Sequence, residues 1–287
     1  MSAPAYREVI RPYGFLACPR MYRELCGRKI SPLGVGTWKM GGGDAPDRRH
    51  DAEEIAALKL ALEAGVTVVD TAEMYGAGHA EELVGKAIEG FPREDLFLIS
   101  KVLPRNLKRA DLKKALHQSL KRLGTEYIDL YLIHWPPADL ALVAEGLAAM
   151  EEEVARGAIR SIGVSNFDTK EMEFALESLK RTELAANQIE YSLVETSPER
   201  DVIPFCEKNK IAVIAYTPLA DGKVASIPVV KKVAKSVGHT PIKVALNYLM
   251  RRSLPIPKAS KPSHLREILG AMGWELSEKE YAAIRSQ

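Results

Sequence analysis

A (β/α)8 barrel is the fold class that this sequence predicts. Eight short apolar runs with strand character occur along the chain, and segments whose apolar residues recur with helical spacing lie between them. Such alternation is typical of a parallel sheet covered by helices. This alternation of strands and helices continues across the midpoint of the 287-residue chain, and no linker or low-complexity stretch interrupts it. Because barrels routinely exceed the usual domain length, we expect one closed barrel rather than two domains.

The strands can be read in order from their apolar runs. Residues 21–30 come first; they are polar and interrupted by glycine, which predicts a short N-terminal β-hairpin. Gly34 and Gly36 in the first barrel strand do not make a dinucleotide fingerprint, which argues against an open doubly wound sheet. The eight predicted strands are 33–37, 66–70, 96–101, 128–134, 158–164, 185–189, 211–217 and 254–257.

Helices are predicted between the strands. Asp168, with Glu171 three residues later, makes a capping-box-like start for one of them. Another helix has a single apolar face, formed by Leu112, Leu116, Leu120 and Leu123. The remaining predicted helices are 51–64, which Gly65 ends, 79–88 and 140–156, with 229–236 and 242–251 together between strands seven and eight.

Composition excludes several classes of partner. With 40 basic and 38 acidic side chains the formal charge is +2, and the basic residues are scattered, so nucleic acid is not expected. Cys18, Cys26 and Cys206 show no C-x-x-C spacing, which predicts a reducing, cytoplasmic location. No apolar run approaches the roughly 20 residues that span a bilayer, so no membrane segment is expected. We expect a monomer or weak oligomer that acts on a small molecule.

Amide side chains are scarce, with five Asn and three Gln in the chain. Together with abundant Glu, Lys and Arg, this scarcity indicates a thermophilic source. Asn166 and Gln188 both follow strand-like runs, where a chain that otherwise avoids amides has little structural reason to keep them. Both are therefore candidate functional residues.

Four chemically reactive groups lie at or beside the downstream ends of strands. Asp70, Lys101 and His134 end the second, third and fourth predicted strands, and Tyr75 lies in the loop just beyond the first of these three. The downstream ends of parallel barrel strands meet on one face. We therefore expect an acid, a phenol, an amine and an imidazole to share one pocket.

Seven segments carry a resemblance to a known family. They are GTWKMGG at 36–42, VDTAEMYG at 69–76, SKV at 100–102, DLYLIHWP at 129–136, IGVSNF at 162–167, NQIEY at 187–191 and IPK at 256–258. Together, in this order, they resemble the aldo-keto reductase family. The resemblance implies a TIM-type barrel with an N-terminal hairpin, NAD(P)H-dependent interconversion of carbonyls and alcohols, and a catalytic tetrad of Asp70, Tyr75, Lys101 and His134. It covers a single domain, 21–287. Residues 1–20 are then either an N-terminal extension or lie before a true translation start at Met21, and mass spectrometry of the native protein distinguishes the two.

The tetrad suits proton transfer to a carbonyl oxygen. A free tyrosine titrates near pKa ~10, so Tyr75 needs a neighbouring cation to act as acid and base near neutral pH. Lys101 is that cation, and pairing with Asp70 keeps its buried ammonium charged and oriented. His134 can hold the carbonyl oxygen.

The resemblance also implies NADP(H) as the hydride carrier, with NAD(H) as an alternative. Ser165, Asn166 and Gln188 would bind the nicotinamide carboxamide, and Tyr216 would stack on its ring. Lys258 would meet the 2′-phosphate, but His264 stands where an Arg is usual, which weakens selectivity against NADH. The full set of implied cofactor residues is Gly36, Thr37, Trp38, Asp70, Ser165, Asn166, Gln188, Tyr216, Thr217, Pro218, Leu219, Ala220, Lys258, Ala259, Ser260, His264 and Glu267.

The predicted substrate pocket is walled by large side chains beside the reactive groups. Its residues are Trp38, Met74, Tyr75, His134 and Trp135. The chain ends at Gln287, soon after its final helix, without the long C-terminal loop of many family members. An open site for small or varied aldehydes and ketones is expected.

Two other functions compete with this interpretation. A metal-dependent hydrolase could use Asp70, His134 and either His79 or His50. Only one His ends a strand, however, and neither H-x-H nor H-E-x-x-H occurs, so no metal is predicted. A cofactor-sensing subunit is the second alternative, because barrels of this family also serve as regulatory partners of membrane channels, and fold alone does not decide between sensing and catalysis.

Overall fold

Residues 22–286 are described by the structure, a computed structural model. Eight parallel strands form one sheet in which each strand pairs with the next along the chain. The N–H of Gly36, in the first of these strands, donates to the carbonyl of Pro257, just after the last, over 3.1 Å, so the sheet nearly closes on itself. The predicted barrel is confirmed. The predicted extension over residues 1–20 lies outside the described residues.

A two-stranded hairpin precedes the barrel, as predicted. Its turn places Cys26 and Gly27 in the left-handed region, with φ of 51° and 71°, the geometry of a tight hairpin turn. The hairpin consists of β1 (Arg23–Leu25) and β2 (Arg28–Ile30), and the barrel of β3 (Gly34–Gly36), β4 (Val68–Asp70), β5 (Phe97–Val102), β6 (Ile128–Ile133), β7 (Ile159–Ser165), β8 (Leu184–Glu190), β9 (Ala212–Tyr216) and β10 (Leu254–Pro255).

Helices cover the outside of the barrel, and two of them lie between β9 and β10 as predicted. The helices Val202–Lys208 and Pro262–Leu269 were not predicted. The first of them has only seven residues, one of which is a proline, and gives too little periodicity. The helices are α1 (Asp51–Glu63), α2 (His79–Ile88), α3 (Arg109–Leu123), α4 (Ala141–Ala155), α5 (Thr169–Ser178), α6 (Val202–Lys208), α7 (Pro228–Val237), α8 (Pro241–Met250), α9 (Pro262–Leu269) and α10 (Glu278–Arg285).

Local signals in the sequence fix several helix ends. At the start of α5, Asp168 accepts from the N–H of Glu171 over 2.8 Å, and Glu171 accepts in return from the N–H of Asp168 over 2.8 Å. This is the predicted capping box. Helix α3 ends at Gly124, whose φ of 64° lets the chain turn left-handed there. The predicted leucine face of α3 is buried against the barrel.

Strand alternation brings the reactive side chains inside the barrel. On β5, Phe97 and Ile99 belong to a buried interior cluster that the hairpin also joins, so the hairpin caps the end where the strands begin. Successive side chains point to opposite faces of a strand, so Lys101 continues the interior row of Phe97 and Ile99. Asp70, at the end of β4, and His134, directly after β6, take equivalent positions. The downstream end of the barrel, opposite the hairpin, therefore holds the site.

Three further findings bear on function. None of the helices within residues 22–286 has the length and apolar character that crossing a bilayer requires. The same part of the chain contains no group of three or more His, Cys, Asp and Glu side chains that could hold a metal ion. Its two cysteines, Cys26 and Cys206, are free thiols.

Candidate active site

Lys101 is the centre of the site. Its side chain is fully buried, and its Nζ donates to Asp70 Oδ2 over 2.8 Å, to the carbonyl of Thr71 over 2.9 Å and to the Tyr75 hydroxyl over 3.1 Å. Burial alone would lower the pKa of Lys101, but Asp70 and Tyr75 outweigh it and the pKa is raised. The ammonium therefore stays charged. An ammonium has three donors and no acceptor, and all three are used.

Tyr75 is held by a tight left-handed turn, Tyr75–Gly78. Gly76 and Ala77 have φ of 56° and 52°, and a Cβ on Gly76 would lie 2.4 Å from the carbonyl oxygen of Gly41. The N–H of Gly76 also donates to the carbonyl of Gly43 over 3.0 Å. The turn and the loop that follows β3 therefore fix each other, and the phenol is fixed with them.

The Tyr75 hydroxyl accepts from Lys101, so its own proton is free to point elsewhere. Burial raises the pKa of Tyr75, and the Lys101 charge, which lowers it, offsets only part of this effect while Asp70 raises it further. The cation that the sequence predicts is present, yet desolvation is the larger influence. Tyr75 therefore keeps its proton near neutral pH and is a donor.

His134 lies beside the phenol as a neutral imidazole. Its ring is 5.6 Å from the Tyr75 ring, centre to centre, and stacks on Trp135 at 3.8 Å. Burial, and then the Lys101 charge, lower the pKa of His134 to about 2. Its Nδ1 is buried without a hydrogen-bond partner. A neutral imidazole keeps one N–H, so this side chain can donate one hydrogen bond and carries no charge.

Asp70 is held from two sides as well. Gln188 Nε2 donates to its Oδ1 over 2.7 Å, opposite the oxygen that Lys101 holds. The N–H and the hydroxyl of Thr37 both donate to the Asp70 backbone carbonyl over 3.0 Å. Gly36 is required by barrel closure, because a Cβ there would lie 2.7 Å from the Ile256 carbonyl oxygen.

A second set of predicted residues meets at the ends of β7, β8 and β9. Asn166, in the left-handed region with φ of 63°, donates from Nδ2 to Ser165 Oγ over 3.1 Å and to the His134 carbonyl over 3.2 Å. Ser165 Oγ donates to the Gln188 carbonyl over 2.9 Å, and the Tyr216 hydroxyl donates to Asn166 Oδ1 over 2.8 Å. Amide and hydroxyl groups therefore form one connected network next to the tetrad.

The loop after β9 turns repeatedly through the left-handed region. Thr217, Ala220, Asp221 and Gly222 have φ of 49°, 45°, 53° and 86°. Such turns can present successive backbone N–H groups to an anion. Pro218 is buried and Leu219 is half-buried beside them.

The predicted phosphate end lies after β10, around the start of α9. Lys258 and His264 are exposed, Ala259 is buried and Ser260 is half-buried. Glu267 is engaged elsewhere, because it accepts a hydrogen bond from the hydroxyl of Thr240, the residue that caps α8.

Aromatic rings surround the reactive groups. Trp38 packs edge-on against Tyr75 at 5.0 Å between ring centres, and Met74 packs with Tyr75. Trp38 and Trp135 remain 45% and 38% exposed, which is unusual for such large rings and leaves the pocket mouth open.

Sequence reasoning missed two contributors. The Thr71 carbonyl takes one Lys101 donor, but a backbone acceptor leaves no signal in side-chain chemistry. Glu73 accepts from the N–H of Leu103 over 2.6 Å and from Asn106 Nδ2 over 2.9 Å, which ties the Tyr75 segment to the end of β5. A carboxylate between Asp70 and Tyr75 was the available clue.

The fold and this cluster define a class of protein: a parallel barrel with a buried lysine, a carboxylate, a phenol and an imidazole at its downstream end. The chain belongs to the aldo/keto reductase family, whose sequence pattern matches residues 32–287. The methylglyoxal reductase YeaE of Escherichia coli K12 is 37% identical over 262 residues, which cover 89% of this chain and 90% of that protein.

Solved structures agree with this assignment. A thermostable aldo-keto reductase, Tm1743, solved with the inhibitor epalrestat, is 43% identical with a TM-score of 0.87, and the match covers 93% of this chain and 99% of the other. An aldo/keto reductase of Klebsiella pneumoniae, solved with NADP and acetate, is 36% identical with a TM-score of 0.82 over 91% of this chain and 92% of the other.

Proposed function

We propose that this protein is an NADPH-dependent reductase that interconverts aldehydes or ketones and alcohols, with Tyr75 as the general acid and base. The observation that carries the proposal is the hydrogen bonding of Lys101. Because Asp70, the Thr71 carbonyl and the Tyr75 oxygen take its three donors, the phenol accepts from Lys101 and can only donate outward.

The bound reduced nicotinamide would supply the hydride to the carbonyl carbon. Tyr75 would give its proton to the carbonyl oxygen, and Lys101 would stabilise the phenolate that remains. His134, being neutral, would donate one hydrogen bond to the same oxygen and would not compete with Tyr75 as an acid. In the alcohol-oxidising direction the phenolate would take the proton back.

The residues present fit a nicotinamide cofactor. A carboxamide needs both donors and acceptors, and the network of Ser165, Asn166 and Gln188 offers both at the ends of adjacent strands. Tyr216 supports this network through Asn166 and is half-buried, and its ring would stack on the nicotinamide. The loop of residues 217–222 would hold the pyrophosphate through its backbone.

The preference for NADPH rests on Lys258, which is exposed shortly before the start of α9. Lys258 would bind the 2′-phosphate, and the solved relative from Klebsiella pneumoniae was captured with NADP. His264 lacks the fork geometry of an arginine, which makes discrimination against NADH weaker. Glu267 would reach the cofactor only by giving up its hydrogen bond with Thr240.

The substrate class is small aldehydes and ketones. Trp38, Met74 and Trp135 would wall a pocket whose two tryptophans remain partly exposed, so access is open. The relative YeaE is named a methylglyoxal reductase, which makes small dicarbonyls the first compounds to test.

The test is NADPH oxidation by the wild type and by Tyr75→Phe, followed by the absorbance of the reduced nicotinamide, with a panel of aliphatic and aromatic carbonyls. NADPH binding is measured in parallel by fluorescence. Turnover lost in Tyr75→Phe while binding persists supports the proposal. Equal turnover in both proteins would show that another group is the acid. Tight binding with no wild-type turnover would indicate a cofactor sensor instead.

We also propose a cytoplasmic location, a thermophilic source and a monomeric or weakly associated state without nucleic-acid partners. The free thiols of Cys26 and Cys206 suit a reducing compartment. The relative Tm1743 is described as thermostable, which agrees with the scarcity of amides. Thermal unfolding and sedimentation of the purified protein would test stability and association.

A further inference from the structure

One contact at the site crosses the barrel interior. Gln188 on β8 donates to Asp70 on β4 over 2.7 Å, although the two residues are 118 positions apart in sequence. Three strands lie between β4 and β8 in the sheet, so the contact is made across the barrel and not between neighbouring strands. Both side chains are almost completely buried.

This contact completes the hydrogen bonding of Asp70. A buried carboxylate that loses a donor keeps its charge in a medium that solvates it poorly, which is costly. Lys101 holds Oδ2 and Gln188 holds Oδ1, so neither oxygen is left to rotate toward another partner. The direction of the Lys101 ammonium, and with it the donor that meets Tyr75, depends on this fixed carboxylate.

We propose that Gln188 is a positioning residue for proton transfer: its amide fixes Asp70 and, through Asp70 and Lys101, the Tyr75 hydroxyl. This role is separate from any contact that Gln188 makes with the cofactor. Its catalytic consequence rests on the proposed function, whereas the contact itself can be tested in the ligand-free protein.

The deciding variant is Gln188→Glu. This substitution places a second carboxylate beside Asp70. Two carboxylates at this distance do not both ionise readily, because their charges repel each other. The pair therefore shares one proton, which takes the place of the amide N–H. The pKa of the new acid in the folded protein is then raised above the unfolded value of about 4.3. Because the folded state binds the proton more tightly, stability falls as pH rises from the unfolded pKa to the folded pKa, then levels off.

The readout is the melting temperature of the ligand-free protein against pH, with Gln118→Glu, an exposed site on α3, as the charge-matched control. Relative to the control, the melting temperature of Gln188→Glu is expected to fall by roughly 5 °C between weakly acidic and weakly alkaline pH. In turnover, kcat of Gln188→Glu is expected to fall over the same pH interval. A difference in melting temperature that stays constant with pH would overturn the proposal.

A second variant covers the case in which Gln188→Glu does not fold. Gln188→Met keeps the size and removes the donor, and it is combined with Asp70→Asn in a double-mutant cycle of melting temperatures. Strong non-additivity supports the contact, and simple additivity overturns it. If the wild type reduces no carbonyl, the melting temperatures still show whether Gln188 and Asp70 interact. The proposed function and the proposed role of Gln188 can therefore be refuted independently.

Discussion

The neutral state of His134 predicts a specific loss of stability in acid. The pKa of His134 in the folded protein is about 2, because of burial and the Lys101 charge, whereas an unfolded histidine titrates near 6.5. Below about pH 6.5 the unfolded chain therefore binds a proton at His134 that the folded protein does not bind. Stability is fully present above about pH 6.5 and is lost progressively as pH falls toward the folded pKa.

The magnitude follows from the interval between the two pKa values. At about pH 4.5 the unfolded histidine is two units below its pKa while the folded one is still neutral, and each unit corresponds to about 1.4 kcal/mol. His134 thus costs the wild type about 3 kcal/mol of unfolding free energy between neutral pH and pH ~4.5. Other acid-sensitive groups contribute to both proteins in a comparison with His134→Gln, and so they cancel.

The assay is urea unfolding of the wild type and His134→Gln at about pH 7.5 and about pH 4.5, at one ionic strength. We expect the difference in unfolding free energy between the two proteins to shift in favour of the variant by about 3 kcal/mol on acidification. His117→Gln, at an exposed position on α3, is the matched control. A shift no larger than that of the control would refute the neutral, desolvated His134.

Three other outcomes are expected. Lys101→Met leaves the Asp70 carboxylate buried without its cation, so it should lower the unfolding free energy by about 3–5 kcal/mol, and adding Asp70→Asn should restore part of the loss in the same urea assay. Lys258→Ala should reduce kcat/KM with NADPH roughly ten-fold more than with NADH, as the loss of one charge-assisted hydrogen bond requires; equal losses would remove Lys258 from the phosphate site. Asp168→Ala should cost about 1 kcal/mol through the capping box of α5, with unchanged kcat.

The fold could be predicted from sequence because parallel strands buried on both faces are continuous apolar runs. All eight barrel strands lie within one or two residues of those runs. The capping box at Asp168 was equally visible, since both partners are local. Helix α6 was not, because its position is set by packing on the barrel and its seven residues carry little periodicity.

The composition of the site was also visible in sequence. Asp70, Lys101 and His134 are the polar ends of apolar strands, and strand alternation requires them to share the interior face. That the four reactive groups meet follows from topology alone, because parallel strands end on one side.

Only the tertiary structure decided which hydrogen bonds the reactive groups of the site make and which of these groups carry a proton. Two hydrogen bonds join residues that no local sequence pattern connects: Gln188 donates to Asp70, and the hydroxyl of Thr240 donates to Glu267. The raised pKa of Tyr75 is the net result of two opposing effects: burial raises the pKa, and the Lys101 charge lowers it. Sequence identifies the charges, but desolvation depends on every element packed around them, so the balance exists only in the folded barrel.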